Sequence, residues 1–135
     1  MLLDSNIIIY AAQPEQGALR AFVEEKAPAV SVISRIEVLG YHQLQQPERE
    51  SLDRFFEAAE VLPLSESVVE RAVHLRIQRR MSLGDSIIAA TALVHQLTLV
   101  THNTEDFAWI RELRLLDPLT SKSKKGAVRS RTVRR

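Results

Sequence analysis

The sequence contains no cysteine among its 135 residues. That absence excludes a disulfide framework and any zinc or iron–sulfur site that needs thiolate ligands. It is compatible with a reducing compartment, so we expect a cytoplasmic protein. The chain also lacks an apolar run long enough to cross a bilayer, and residues 1–4 lack the basic start and long apolar stretch of a signal peptide. These absences favour a soluble intracellular domain with no membrane partner.

Acidic residues are missing from the end of the chain. Residues 121–135 carry seven basic side chains and no acidic one, and since the whole chain has a formal net charge of +1, residues 1–120 carry −6. Such a basic arm either contacts nucleic acid through phosphates or is a solvated tail without a partner, and composition does not distinguish the two. We expect one domain over residues 1–120 and a flexible basic tail over residues 121–135.

Short apolar runs of strand length alternate with segments of helical period. This pattern predicts an α/β fold with a mostly parallel sheet between helices. Strands are predicted over residues 2–3, 29–32, 61–62 and 97–100, with a final edge strand near residues 113–116. Helices are predicted over residues 17–26, 34–45, 48–60, 65–80 and 82–96.

Three details of these helices can be predicted. The helix over residues 34–45 is expected to stop before Pro47. The helix over residues 65–80 should place Val68, Val69, Ala72 and Leu75 on its inner face, with Ile77 as a further candidate. The helix over residues 82–96 has almost no polar face, so we expect it to be central and buried.

Four acidic residues lie at the ends of predicted strands or near the starts of predicted helices, where functional groups of a parallel sheet are commonly found. Asp4 ends the first strand, and Glu37 lies one helical turn after the second. Asp106 follows the strand over residues 97–100 by a short turn, and Asp85 begins the buried helix. Because ligands bind beyond the carboxyl ends of the strands in an open α/β sheet, we expect these four side chains to meet there.

Carboxylates that meet in this way need a compensating positive charge. Each pair repels by about 4 kcal/mol at roughly 4 Å and an effective dielectric constant near 20. Mg²⁺ or Mn²⁺, which prefer oxygen ligands, would remove that cost. A bound divalent ion lowers the pKa of a water molecule and stabilises charge on a phosphate. An acid-only site therefore favours phosphodiester chemistry over zinc hydrolysis.

Each acid also has a purely structural interpretation. The spacing from Ser34 to Glu37 is typical of a capping box, and the spacing from Ser82 to Asp85 is the same, with an acid that complements the helix dipole. The other two acids could belong to a turn and to the surface. For either capping motif alone the structural interpretation is favoured, whereas the coincidence of four acids at one end of the sheet favours a site.

Four segments resemble, in order, the motifs of PIN domains, in particular VapC-type toxins of bacterial toxin–antitoxin pairs. They are residues 2–10 (LLDSNIIIY), 31–40 (SVISRIEVLG), 84–92 (GDSIIAATA) and 99–107 (LVTHNTEDF). The resemblance covers about residues 1–118. It implies a three-layer α/β/α fold and an Mg²⁺- or Mn²⁺-dependent endoribonuclease, in which a metal-activated water hydrolyses an RNA phosphodiester bond. It also implies a homodimer and a cognate antitoxin protein that holds the enzyme inactive.

Motif position assigns the residues of this site. The resemblance implies an acidic centre of Asp4, Glu37 and Asp85. Relatives place a fourth acid either at the position of Asn103 or just before the phenylalanine, and we assign it to Asp106. Asp4, Asp85 and Asp106 are predicted metal ligands, and Glu37 is predicted to orient or deprotonate water. The predicted substrate-positioning groups are Ser5, Asn6, Thr101 and Asn103.

Other functional classes compete with this interpretation. A phosphatase of the haloacid dehalogenase type also begins with a strand-ending aspartate, but it needs a second acid two positions later, where this chain has Asn6. A receiver-type phosphoacceptor domain needs an acidic pair before its phosphoacceptor strand, and Asp4 comes too early for that. The alternative that stays open is a catalytically inactive PIN-like module that binds RNA or a protein.

Overall fold

The structure, a computed structural model, describes residues 1–119, so the predicted basic tail lies outside the described residues. Within these residues five short strands form one sheet, and all four strand pairs are parallel. The strands are β1 (Leu2–Leu3), β2 (Ala29–Ser31), β3 (Val61–Leu62), β4 (Leu99–Val100) and β5 (Leu115–Leu116). The predicted parallel sheet and its final edge strand are confirmed.

Helices cover both faces of this sheet. They are α1 (Ser5–Ala11), α2 (Gly17–Lys26), α3 (Val32–Leu39), α4 (Gln46–Ala58), α5 (Glu66–Gln78), α6 (Leu83–His95) and α7 (Thr104–Phe107). Buried residues of α1 to α4 form the core on one face, and those of α5 to α7 form the core on the other. The predicted three-layer α/β/α fold is therefore confirmed. None of the helices in residues 1–119 combines the length and hydropathy that crossing a membrane requires.

Successive residues of each strand face opposite layers, because side chains alternate across a sheet with a period of two. Leu2 and Leu99 pack with α5 and α6, whereas Leu3 and Val100 pack with α1 to α4. All four side chains are fully buried. Strands that are apolar on both faces are typical of a parallel sheet covered by two helical layers.

The order of the strands locates the functional edge of the sheet. The order is β3-β2-β1-β4-β5, so the chain runs outward from β1 to β3 and then crosses to β4 on the other side of β1. In open α/β sheets ligands bind beyond the carboxyl ends of the strands at the point where the order reverses. Here that point lies between β1 and β4, which are followed directly by Asp4 and Thr101.

The central helix is α6, as predicted. Its residues 86–92 are all buried. It begins after Ser82, whose Oγ accepts a hydrogen bond from the backbone N–H of Asp85 at 3.1 Å. The side chain of Ser82 thus satisfies one of the backbone donors that every helix start leaves without an intrahelical acceptor, and the predicted cap is confirmed.

The prediction for the helix over residues 34–45 was wrong at both ends. Its cap is Ser31, whose Oγ accepts a hydrogen bond from the N–H of Ile33 at 3.1 Å, and the helix stops at Gly40. Pro47 does not end this helix but lies in the first turn of α4. Proline is tolerated there because an N–H in the first turn has no intrahelical acceptor.

The prediction for the inner face of α5 is confirmed for Val68, Ala72 and Leu75 and was wrong for Val69 and Ile77. Val69 is 37% exposed and Ile77 is 76% exposed, whereas Val68, Ala72 and Leu75 form the buried stripe. A narrow stripe is sufficient to pack α5 against α6. Apolar residues beside it consequently remain on the surface.

Candidate active site

Asp4 lies at the centre of the candidate site, directly after the central strand β1. It is 4% exposed, and its carboxylate accepts a hydrogen bond from Thr101 Oγ1 at 2.7 Å and another from the backbone N–H of Ser5. The Thr101 hydroxyl is itself oriented, because it accepts a hydrogen bond from the backbone N–H of Asn103 at 3.0 Å. The ends of β1 and β4 therefore hold one carboxylate in a defined position.

Glu37 joins the site from α3. Its Oε1 accepts a 2.6 Å hydrogen bond from Ser5 Oγ, and Ser5 Oγ also forms a 2.8 Å hydrogen bond with Ser34 Oγ. Ser34 lies inside α3 rather than at its start. The capping-box interpretation of Ser34 and Glu37 is therefore wrong, because this carboxylate is held by a side chain of α1.

Gly84 provides space for Glu37 at the start of α6. A Cβ atom on Gly84 would collide with Oε2 of Glu37. Its φ angle is not positive, so the glycine is needed for space and not for an unusual backbone conformation. The Glu37 carboxylate consequently lies against the first turn of α6, where the helix dipole favours negative charge. Sequence spacing alone gives Gly84 no role; its signal in the sequence is a glycine in the first turn of an otherwise strongly apolar helix.

Asp85 lies in the first turn of α6 and is partly buried. Its pKa is raised from 3.8 to about 6. The main cause is burial, which disfavours the charged form, and the carboxylates of Asp4, Asp106 and Glu37 raise the pKa further. The charges of the other three predicted acids therefore all act on Asp85.

The pKa of Asp4 is shifted in the same direction. Burial is the largest cause, the hydrogen bonds that the carboxylate accepts oppose it, and the charges of Glu37 and Asp106 add to it. Together Asp4, Glu37, Asp85 and Asp106 form what we call the acid cluster. The fold gathers more negative charge in this cluster than it compensates.

The other predicted site residues divide into buried and exposed groups. Ser5 and Thr101 are buried and hydrogen-bonded to acids of the cluster. Asn6, Asn103 and Asp106 are exposed at the start of α1 and around the start of α7. The charge of Asp106 is among the causes that raise the pKa of Asp4 and of Asp85.

A family model described as "PIN domain" matches residues 1–113. This chain belongs to the PIN domain family.

Individual relatives agree with this PIN domain assignment. Ribonuclease VapC10 of Mycobacterium tuberculosis is 30% identical over 122 residues, which cover 84% of this chain and 90% of that protein. A toxin–antitoxin complex from Klebsiella pneumoniae matches with a TM-score of 0.71 and 30% identity, over 87% of this chain and 96% of that chain. VapBC2 from Rickettsia felis, solved with a DNA fragment from its promoter, matches with a TM-score of 0.74 and 25% identity, over 84% and 95%. The resemblance to VapC-type PIN domains is confirmed.

The donor groups of this PIN domain suit a hard divalent cation. The acid cluster offers carboxylate oxygens, which Mg²⁺ and Mn²⁺ prefer, and contains no thiol or imidazole. Within residues 1–119, no three acidic or histidine side chains are already gathered as a ready-made metal-binding group. The raised pKa values of Asp4 and Asp85 show where added positive charge would be most stabilising. The residues therefore fit such an ion, provided that their carboxylates move closer together.

Proposed function

We propose that this PIN domain is a divalent-metal-dependent endoribonuclease, with Mg²⁺ or Mn²⁺ as the ion, and the toxin of a toxin–antitoxin pair. The observation that carries the proposal is the acid cluster at the point where the strand order reverses. Similarity to Ribonuclease VapC10 supports RNA as the substrate. Similarity to a toxin–antitoxin complex supports a cognate antitoxin as the partner.

Asp4, Asp85 and Asp106 are the residues that would hold the ion. When bound, such an ion supplies a water of lowered pKa and positive charge against a phosphate. The hydrogen bonds from Thr101 and from the backbone of Ser5 favour the ionised form of Asp4, which is the form that binds a cation. Asp4 is therefore the fixed ligand, and the exposed Asp106 is the adaptable one.

Glu37 is suited to accept a proton. Its Oε1 is engaged by Ser5, whereas Oε2 lies beside Gly84 and the side chain is exposed to solvent. A water that attacks the phosphorus must lose a proton, and a carboxylate within hydrogen-bonding reach can take it. We assign that step to Oε2 of Glu37.

The four predicted positioning residues would have two different tasks. Ser5 and Thr101 are buried and would position Glu37 and Asp4 rather than the RNA. Asn6 and Asn103 are exposed at the rim of the acid cluster, where their amides could contact phosphate or sugar oxygens.

The predicted homodimer would use the exposed apolar face beside α5. Contiguous apolar surface of this kind is typical of protein interfaces. The apolar face beside α5 lines an open groove between α5 and α6, together with Arg76 and Arg80. We call this surface the α5 face. Its exposed apolar residues, on α5 and beside it, are Leu64, Val69, Val73, Ile77 and Leu83.

The decisive experiment is cleavage of a panel of structured and single-stranded RNAs by protein purified free of antitoxin, with Mg²⁺, Mn²⁺ or EDTA. Asp85→Asn removes one charge of the acid cluster, and Asp53→Asn removes an exposed acid of α4 as the matched control. We expect cleavage that EDTA and Asp85→Asn abolish and that Asp53→Asn preserves. Cleavage by Asp85→Asn at the wild-type rate would contradict the assignment. Neither cleavage nor Mn²⁺ binding by the wild-type protein would favour the inactive binding module.

A further inference from the structure

Two aromatic side chains lie next to the residues that support the acid cluster. The rings of Tyr10 and His102 meet edge to face, with centroids 6.3 Å apart and an interplanar angle of 74°. Tyr10 is 36% exposed and the His102 side chain is 46% exposed. Aromatic surface of this kind, half packed and half open to solvent, can bind the face of a planar ligand.

Both rings are attached to the elements that position Asp4. Tyr10 lies on α1, which begins directly after Asp4, and His102 follows Thr101, which donates the hydrogen bond to Asp4. At a rise of about 1.5 Å per residue, Tyr10 lies about 9 Å along α1 from Asp4. That distance corresponds to two or three nucleotides of a stacked strand at about 3.4 Å each. A base two or three nucleotides away from a phosphate bound at the acid cluster would therefore lie at about the distance of Tyr10.

His102 is held in place by a third group. Its Nδ1 lies 3.1 Å from Oδ2 and 3.3 Å from Oδ1 of Asp117, which follows β5. The imidazole is thus anchored to the neighbouring strand end and supports the Tyr10 ring. Holding the ring in one orientation lowers the conformational entropy that is lost when a ligand binds.

We propose that Tyr10, supported by His102, forms a base-stacking subsite for single-stranded RNA beside the acid cluster. The inference rests on the ribonuclease function proposed above. Proteins that recognise single-stranded RNA stack its unpaired bases on aromatic side chains. Stacking on an aromatic ring does not depend on the identity of the base, because every base has a π-face. The subsite would therefore select single-stranded over duplex RNA and fix the register of the strand, without choosing a base.

The test compares Tyr10→Leu with Tyr10→Phe on a fluorogenic single-stranded RNA that the wild-type protein cleaves. Leucine keeps an apolar side chain but removes the aromatic face, whereas phenylalanine keeps the face. Loss of one stacked base corresponds to about a 5- to 150-fold weakening of binding. We expect the KM of Tyr10→Leu to rise by this factor with kcat within about twofold of wild type, because the lost contact is made equally before and during reaction. Tyr10→Phe should keep the wild-type KM.

Tyr41 provides the matched control. It is 38% exposed and also meets a histidine ring edge to face, His42, with centroids 5.6 Å apart. Its hydroxyl donates to Gln43, in the segment after α3. Tyr41→Leu should leave KM unchanged.

A second measurement identifies the stacked nucleotide. An abasic nucleotide is placed in turn at each position flanking the cleaved bond. At the stacked position it should raise the KM of the wild-type protein as much as Tyr10→Leu does, and it should not raise the KM of Tyr10→Leu further. An unchanged KM for Tyr10→Leu, an equal rise for Tyr41→Leu, or additive effects at every position would overturn the inference. If the wild-type protein cleaves no RNA with either metal, the proposed function fails and this inference fails with it. If the wild-type protein cleaves RNA but Tyr10→Leu keeps the wild-type KM, only this inference fails.

Discussion

The hydroxyl of Thr101 donates a 2.7 Å hydrogen bond to the carboxylate of Asp4, across the point where the strand order reverses. Both residues are buried, and burial raises the pKa of Asp4 while this bond lowers it. The residue that follows β4 therefore keeps the acid that follows β1 closer to its ionised form.

Thr101→Val is expected to weaken metal binding and cleavage by about 10- to 100-fold, as the loss of a group that orients a metal ligand commonly does. Valine has nearly the shape of threonine but cannot donate to Asp4. Mn²⁺ titration and the rate of RNA cleavage would measure the effect. Thr98→Val is the control, since the Thr98 hydroxyl accepts a bond from Arg114 at 3.3 Å instead. Wild-type Mn²⁺ affinity in Thr101→Val would argue against the positioning role.

Gly84→Ala is expected to lower kcat by about 10²- to 10⁴-fold, which is the usual contribution of a general base. The new Cβ would displace the Glu37 carboxylate from the first turn of α6. Because Glu37 is exposed and can move away, the melting temperature should change little. Glu37→Gln should give a similar loss, and the double variant should lose no more than either.

Gly17→Ala is the control for this prediction. Gly17 also lies in the first turn of a helix, but a Cβ there would meet Arg20 at an ordinary 3.6 Å. Activity near that of wild type in Gly84→Ala would mean that Glu37 acts from another position or has no part in the chemistry.

Asp85→Asn is expected to stabilise the metal-free protein above about pH 6. The pKa of Asp85 is about 6 in the folded protein and 3.8 as the ordinary value. A raised pKa in the folded state means that the stabilising contribution is complete below pH 3.8 and is lost as the pH rises through about 6. Asparagine does not ionise, so the variant should not lose this contribution.

Thermal unfolding in EDTA at several pH values would check this. The melting temperature of Asp85→Asn should exceed that of wild type at neutral pH and approach it as the pH falls below 3.8. Asp53→Asn, which changes an exposed acid of α4 outside the acid cluster, is the matched control. Saturating Mn²⁺ should raise the melting temperature of the wild-type protein more than that of Asp85→Asn. A variant that is less stable than wild type at neutral pH in EDTA would contradict the charge repulsion inferred for the acid cluster.

Val73→Lys and Ile77→Lys are expected to convert a dimer into a monomer, because each would bury a charge if the α5 face packed against a second copy. Sedimentation velocity would measure the change. Ile36→Lys, which replaces an exposed apolar residue of α3, should leave the dimer intact. A dimer that survives both α5 substitutions would place the interface elsewhere.

Local pattern was sufficient for the parts of this protein that depend on neighbours in sequence. Alternating apolar runs predicted the α/β fold, the missing polar face predicted the burial of α6, and Ser82 predicted where that helix begins. Asp4 could be placed at the functional edge because it directly follows a buried strand, and parallel strands end at the same edge.

Local pattern was misleading where two arrangements satisfy it equally. Ser31 and Ser34 can both cap a helix, and the choice depends on where β2 ends. Val69 and Ile77 have the apolar character of core residues, but the width of the contact between α5 and α6 leaves them exposed.

The sequence by itself determined which acids this protein has and at which end of the sheet most of them had to lie. Only the tertiary structure decided how they are held. The hydrogen bond from Ser5 to Glu37 joins residues 32 positions apart in sequence, and the one from Thr101 to Asp4 joins residues 97 positions apart. Gly84 leaves space for Glu37, which lies on another helix. Periodicity and spacing report on neighbours along the chain, whereas these contacts depend on how strands and helices far apart in sequence pack together.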